Sequence, residues 1–307
     1  MSIIKALGLT RVFGPVRALD GISFEVPEGI IFGFLGPNGS GKTTTIRLLL
    51  GLLSPTAGQV EVLGFNPAMQ GDQVRLCCGA LLEHTGLYER LSAEDNLDFY
   101  GQVWRISPHE RRARIQELLT SLDLWERRKE PCGAWSRGMK QKLAIARVLI
   151  HRPALIFLDE PSAGLDAVAS AALHQSLLAL VQREGVTVFL TTHHLAEAEK
   201  LCAQVAVIRR GELLMQGTPD ELRLRQGGNR LEVIGRGFSP AILNEVRLRP
   251  EVAGLAQEGQ RLMVDLKGNP DSSTLVGLLV SAGVKVEEVR KGKASLEEAF
   301  LEMVNHE

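Results

Sequence analysis

Gly36-Pro37-Asn38-Gly39-Ser40-Gly41-Lys42-Thr43 has the spacing G-x-x-x-x-G-K-[ST], which suits the capture of a polyphosphate. Glycines let successive backbone N–H groups turn inward as an anion nest. A helix starting behind the run adds partial positive charge at its amino end. Lys42 is then placed to neutralise the β- and γ-phosphates of a nucleoside triphosphate, and the Thr43 hydroxyl to ligate Mg2+. Thr44, the first residue of the predicted helix 44–53, completes the expected phosphate-binding set.

A second chemical pair, Asp159-Glu160, directly follows the apolar run 154–158. Carboxylates at the carboxyl end of a buried parallel strand sit where α/β folds bind ligands. Asp159 can hold Mg2+, usually through water, and Glu160 can orient or deprotonate an attacking water. Read alone, the pair could equally cap the next helix.

These groups need a scaffold that presents them together. Residues 30–35, 154–158 and 186–190 are apolar without alternation, the pattern of strands covered on both faces of a parallel sheet. Separated by helical stretches, they predict an α/β core. Before them, Ile4, Ala6 and Leu7, then Ile22, Phe24 and Val26, predict short alternating strands. The middle is helical. Ser92-Ala93-Glu94-Asp95 and Ser107-Pro108-His109-Glu110 look like helix caps, and Ile115, Leu118, Leu119 and Leu122 share one helix face. Thr218-Pro219-Asp220-Glu221 caps a short helix ending near Gly227-Gly228, the expected domain boundary. Beyond it, strands near 231–234, 252–257, 261–266 and 284–289 alternate with helices opening at Ser239 and Asp271. The order β-α-β-β-α-β is the ferredoxin-like arrangement. A last helix is expected after Ser295, carrying Leu296, Phe300 and Met303.

Composition narrows the function classes. The chain has 307 residues, 45% hydrophobic and 23% charged, which excludes a disordered or collagen-like chain. Lys+Arg 35 against Asp+Glu 36 leaves a net charge of -1, without the basic excess of a nucleic-acid binder. Cys77, Cys78, Cys132 and Cys202 form no C-x-x-C pair, so reduced thiols are expected rather than a disulfide or zinc framework. No apolar stretch approaches the ~18 residues of a membrane span, and the amino terminus lacks a secretory pattern. The expectation is a soluble, cytoplasmic chain whose link to a membrane comes through a partner.

With these motifs in order, the chain resembles the nucleotide-binding subunit of an ABC transporter over most of residues 1–220. Trp135-Ser136-Arg137-Gly138-Met139 resembles the family signature Leu-Ser-Gly-Gly-Gln, with Arg137 and Met139 as departures. Ser136 is also a good N-cap for the predicted helix 140–150. The resemblance implies that Ser136 and Gly138 cover the ATP held by a second copy. Thr192-His193 resembles the switch histidine that senses the γ-phosphate. Ser162-Ala163-Gly164-Leu165-Asp166 resembles the loop that contacts the partner copy. Phe13 falls where the family stacks an aromatic on adenine. Glu83 falls where the family has a glutamine that touches Mg2+ and the attacking water, and where the segment meeting the permease begins.

The resemblance therefore implies a P-loop NTPase (ABC ATPase) core with antiparallel β and helical subdomains. It would span residues 1–226, with the helical part at about 84–150, followed by a small α+β ferredoxin-like accessory domain at 230–307. Glu160, His193 and Glu83 would be catalytic, and Thr43, Asp159 and Glu83 would hold Mg2+. The implied ATPase works as an ATP-sandwich dimer. It docks through residues from His84 to Glu94 on a separate polytopic permease, at the inner face of the cell membrane. The signature variant, Glu83 and the carboxyl-terminal extension together resemble the exporter-type branch. A soluble ABC ATPase of DNA repair or translation is the alternative. Against it stand the lack of sustained heptads and the presence of one ATPase half only.

Overall fold

The computed structural model describes residues 2–225, 229–267 and 271–292. The expected Gly227-Gly228 boundary and the helix after Ser295 lie outside the described residues. The chain divides into two compact units, Met1–Gln216 and Gly217–Glu307.

The first unit opens with β1 (Ser2–Phe13) and β2 (Val16–Pro27), an antiparallel pair. Then follow β3 (Ile31–Leu35), α1 (Lys42–Leu49), β4 (Ala57–Val62), α2 (Pro67–Cys77) and β5 (Cys78–Leu81). β2-β1-β4 form a three-stranded antiparallel sheet. Ile4 and Ala6 point inward as their alternation predicts, but Leu7 is 62% exposed. The pairing shifts between Ala6 and Leu9, so Ala6 and Leu9 both face the core and Leu7 is turned out.

A helical layer of α3 (Ala93–Val103), α4 (Pro108–Ser121) and α5 (Arg137–Leu149) comes next. Ser92, Ser107 and Ser136 cap these helices, their hydroxyls accepting from the N–H groups of Asp95, Glu110 and Met139. The buried stripe Ile115, Leu118, Leu119 and Leu122 matches the periodicity read from the sequence. The remainder of the unit is β6 (Leu155–Asp159), α6 (Ala167–Glu184), β7 (Thr187–Thr192), α7 (Leu195–Leu201), β8 (Gln204–Arg209) and β9 (Glu212–Gly217).

The second sheet has the order β5-β6-β7-β3-β8-β9, with β5, β6, β7, β3 and β8 parallel. Every residue of β3 and β7 is buried, which explains why their apolar residues run without alternation. The two sheets share a core. Phe24 of β2 lies 5.4 Å from Phe34 and 6.3 Å from Phe189, ring centre to ring centre. This packing fixes the carboxyl ends of β3, β6 and β7 side by side. There β3 delivers the glycine-rich loop, β6 delivers Asp159-Glu160 and β7 delivers Thr192-His193.

One buried ion pair ties the helical layer to the core. Arg114 of α4 grips Glu184, the last residue of α6, through two hydrogen bonds of 2.9 and 2.6 Å. Its Nη2 also donates to the carbonyl of Leu149, the last residue of α5, at 2.8 Å.

In the second unit, α8 (Pro219–Arg225) begins with reciprocal capping, Glu221 N–H to Thr218 Oγ1 and Thr218 N–H to Glu221 Oε2. Then come β10 (Asn229–Arg236), α9 (Pro240–Arg247), β11 (Val252–Glu258), β12 (Arg261–Leu266), α10 (Ser272–Ser281) and β13 (Lys285–Gly292). The strand order β11-β12-β10-β13 is antiparallel throughout. Order and connectivity match the β-α-β-β-α-β pattern in the sequence. Leu231, Val233, Leu262, Val264 and Leu279 form its own core.

Candidate active site

The glycine-rich loop leaves β3 and turns into α1. Two of its glycines are required by space. A Cβ on Gly36 would lie 2.2 Å from the Ile208 carbonyl oxygen, and one on Gly41 2.6 Å from Leu19 Cδ2. Gly41 also has a φ of 110°, in the region that side chains avoid. Lys42 folds back over the loop. Its Nζ donates to the carbonyls of Gly36 at 2.9 Å and Pro37 at 3.1 Å, and it pairs with Glu160 Oε1 at 3.1 Å.

The acidic pair is held by β7. Thr43 Oγ1 donates to Asp159 Oδ2 at 2.7 Å, and Thr191 Oγ1 donates to Asp159 Oδ1. A hydroxyl beside a carboxylate oxygen is a donor set suited to a hard cation, so these residues fit Mg2+. The glycine cradle and Lys42 likewise fit a nucleotide polyphosphate. Glu160 has a φ of 49°, a left-handed backbone rare for a residue with a side chain. Its N–H donates to both the carbonyl and the hydroxyl of Thr191, at 3.1 Å each. These bonds secure that conformation and aim the side chain between Lys42 and His193. His193 Nδ1 lies 3.1 Å from Glu160 Oε2; facing a carboxylate, it carries the proton. Burial pushes the Glu160 carboxyl up, but Lys42 and His193 outweigh it and hold the group below the usual carboxylate range.

Lys42, Thr43, Asp159 and Glu160 border a cavity of about 700 Å³, whereas His193 and Thr191 are not among its lining residues. Of the expected site residues, Asn38, Gly39, Gly41, Lys42, Thr43, Thr44, Glu83, Asp159 and Glu160 line it. Gly36, Pro37 and Ser40 belong to the same loop but not to the lining, and Ser40 Oγ is buried without a hydrogen-bond partner. Glu83 is exposed and pairs with Arg47 at 3.0 Å. Phe13 is outside the lining, with the Arg11 guanidinium 4.4 Å above its ring; Val16, Arg17 and Ala18 line the cavity instead. Ser136 and Gly138 are outside it too, at the exposed start of α5, where a Cβ on Gly138 would meet Ala169 Cβ at 3.1 Å. Arg137 and Gln141, from the same helix, do line the cavity. Sequence reasoning missed Thr191. Its signal was available: two threonines end the strand and two histidines follow directly.

A family model described as "ABC transporter" matches residues 19–163. The daunorubicin resistance ATP-binding protein DrrA3 of Streptomyces coeruleorubidus is 36% identical over 96% of this chain and 94% of its own length. The bacitracin transport ATP-binding protein BcrA of Bacillus licheniformis is 33% identical over 99% and 97%. A solved ATP-binding subunit of an ABC transporter superposes with a TM-score of 0.65 at 30% identity, over 73% of this chain and 93% of that one. A second, cbiO1 from Clostridium perfringens, part of the transporter complex cbiONQ, gives a TM-score of 0.68 at 25% identity, over 81% and 96%.

Proposed function

The chain belongs to the ATP-binding subunits of ABC transporters, and on that premise we propose how its residues turn ATP hydrolysis into transport. It binds and hydrolyses ATP and powers an exporter-type membrane transporter. Relatives named for transport and drug resistance do not favour a role in DNA repair or translation.

The observation that carries the mechanism is the placement of Glu160, 3.1 Å from Lys42 on one side and 3.1 Å from His193 on the other. Loop N–H groups and Lys42 bind the β- and γ-phosphates of ATP. Thr43 and Asp159 would hold Mg2+, which when bound neutralises phosphate charge; Glu83, on the cavity wall, is a further oxygen donor. Glu160 is ionised at neutral pH, so it can orient the attacking water and accept its proton. His193 holds Glu160 and reports the presence of the γ-phosphate by exchanging partners. Phe13 or the wall formed by Val16 and Ala18 receives the adenine.

Two copies close around two ATP molecules, with Ser136 and Gly138 of each covering the nucleotide of the other. The support is the exposed helix start at Ser136, whose first turn carries no acidic residue. The subunit works with a membrane permease. No helix among the described residues is long and apolar enough to cross a membrane. The chain is then peripheral at the inner, cytoplasmic face. Residues 84–94 form the dock: Tyr88 is exposed and meets Phe99 edge-to-face at 5.0 Å, while Leu87 is half-buried. Asn96 pins the segment through hydrogen bonds with Tyr88, Leu91 and Ser92. Residues 230–307 act as an accessory unit. Daunorubicin resistance and bacitracin transport in the relatives' names support antibiotic-type cargo, chosen by the permease.

Glu160→Gln tests the mechanism. It should keep ATP affinity, abolish turnover and trap an ATP-bound dimer, read by light scattering. Hydrolysis at the wild-type rate would remove Glu160 from its role.

A further inference from the structure

A buried carboxylate behind the hydrolytic groups has no part in the chemistry above. Glu197 of α7 is 7% exposed and receives three donors. Ser162 Oγ donates to Oε1 at 2.6 Å, and Thr192 Oγ1 donates to Oε2 at 2.8 Å. His174 Nε2, on α6, lies 2.7 Å from Oε1 and carries the proton toward it. Thr192 Oγ1 in turn accepts from the N–H of His194 at 3.0 Å.

These partners come from three separate stretches. Ser162 follows Glu160 by two residues, in the loop where Ala163 N–H bonds the Glu160 carbonyl and Leu165 N–H bonds the Ser162 carbonyl. Thr192 immediately precedes His193. His174 lies on the long helix α6. We propose that Glu197 is a positioning residue that locks the loop after Glu160 to the turn bearing His193, and so holds the two groups in register for hydrolysis. The proposal rests on the assignment of Glu160 and His193 above.

The charge is required by the donor count. Among the described residues three donors and no acceptor surround the two oxygens, which an ionised carboxylate satisfies at both ends. Burial pushes this carboxyl up, but the bonds from His174, Ser162 and Thr192 prevail and keep it ionised. A glutamine has the same shape yet must turn its NH2 toward a donor. Facing Thr192, it forces that hydroxyl to rotate away. Facing Ser162 and His174, it loses two bonds at once.

Glu197→Gln in the full-length chain, assayed in membranes carrying its transporter, should lower kcat by about 10- to 100-fold, as loss of a charged hydrogen bond predicts. KM for ATP should stay within about twofold, because Glu197 is not among the residues that line the cavity. Hydrogen–deuterium exchange should quicken at the amides of Ala163, Leu165 and His194, and stay unchanged in β8. A kcat near wild type, or unchanged exchange at those amides, overturns the proposal. If Glu197→Gln does not fold, Ser162→Ala removes one arm only. It should reproduce the faster exchange at Leu165 with a smaller loss of kcat, and failure to do so also overturns it. Turnover retained in Glu160→Gln would instead refute the assignment beneath, while the exchange data still decide whether Glu197 holds the loop.

Discussion

Replacing Arg114 by methionine tests how the helical layer is fixed to the ATPase core. The guanidinium and the Glu184 carboxylate are 3% and 9% exposed, so both charges are removed from water. Burial works against each charge, yet the pairing prevails: it holds Glu184 below the usual carboxylate range and pushes Arg114 up. Breaking such a pair from one side costs about 3–5 kcal/mol, because a buried charge is left behind. Arg183, 43% exposed and 3.0 Å from Glu184, still offers partial compensation, so the low end, about 3 kcal/mol, applies. For a unit of this size that lowers Tm by about 6–12 °C. Thermal unfolding at neutral pH without nucleotide measures it. Arg114→Met with Glu184→Leu should recover most of the loss, since neither charge then remains. The pair also has a pH signature. A carboxyl with a depressed folded-state pKa stabilises above its ordinary value of 4.5 and loses that contribution as pH falls through the folded value. The Tm gap between wild type and Glu184→Gln should therefore narrow below about pH 4. A drop of less than about 3 °C in Arg114→Met, or a gap independent of pH, would refute the reasoning.

Lys42→Ala should weaken ATP binding by about 10- to 100-fold, because charged hydrogen bonds to the phosphates are lost; calorimetry giving wild-type affinity would contradict the loop assignment. A cysteine placed at exposed Tyr88 should cross-link to the permease, and links found only from residues 230–307 would move the dock elsewhere. A chain ending at Gln226 should still bind ATP, since among the described residues the cavity lining ends at Arg210. Loss of folding by circular dichroism or of nucleotide binding by titration would show that the carboxyl-terminal unit completes the core.

The parts of this fold that could be read from the sequence are those where one local rule decides. Residues 30–35, and 186–190 apart from Thr187, run apolar without alternation because β3 and β7 are covered on both faces. Gly36 and Gly41 stand where no Cβ fits, so their spacing is a direct imprint of the backbone. Leu7 was less legible, since its outward turn depends on a pairing shift that alternation does not encode. Glu197 was invisible for a different reason. Leu195-Ala196-Glu197-Ala198-Glu199 reads as an ordinary solvated helix, and nothing local marks one of its two glutamates as buried. Its burial follows from Ser162 and His174, 35 and 23 residues away in the chain. The unusual backbone at Glu160 is likewise set by Thr191 on a neighbouring strand.

The contacts of Lys42 carry one more consequence. An ammonium group has three protons, and here three acceptors already claim them: Gly36, Pro37 and Glu160. A phosphate oxygen therefore enters by substitution rather than by addition. The partner it displaces most readily is the Glu160 side chain, since the two carbonyls belong to the loop itself. Once displaced, that carboxylate loses the cation that contributes most to holding it below the usual carboxylate range. On the proposed roles, one ammonium group would thus serve nucleotide and carboxylate in turn, and a phosphate on the loop would release the carboxylate proposed as the base.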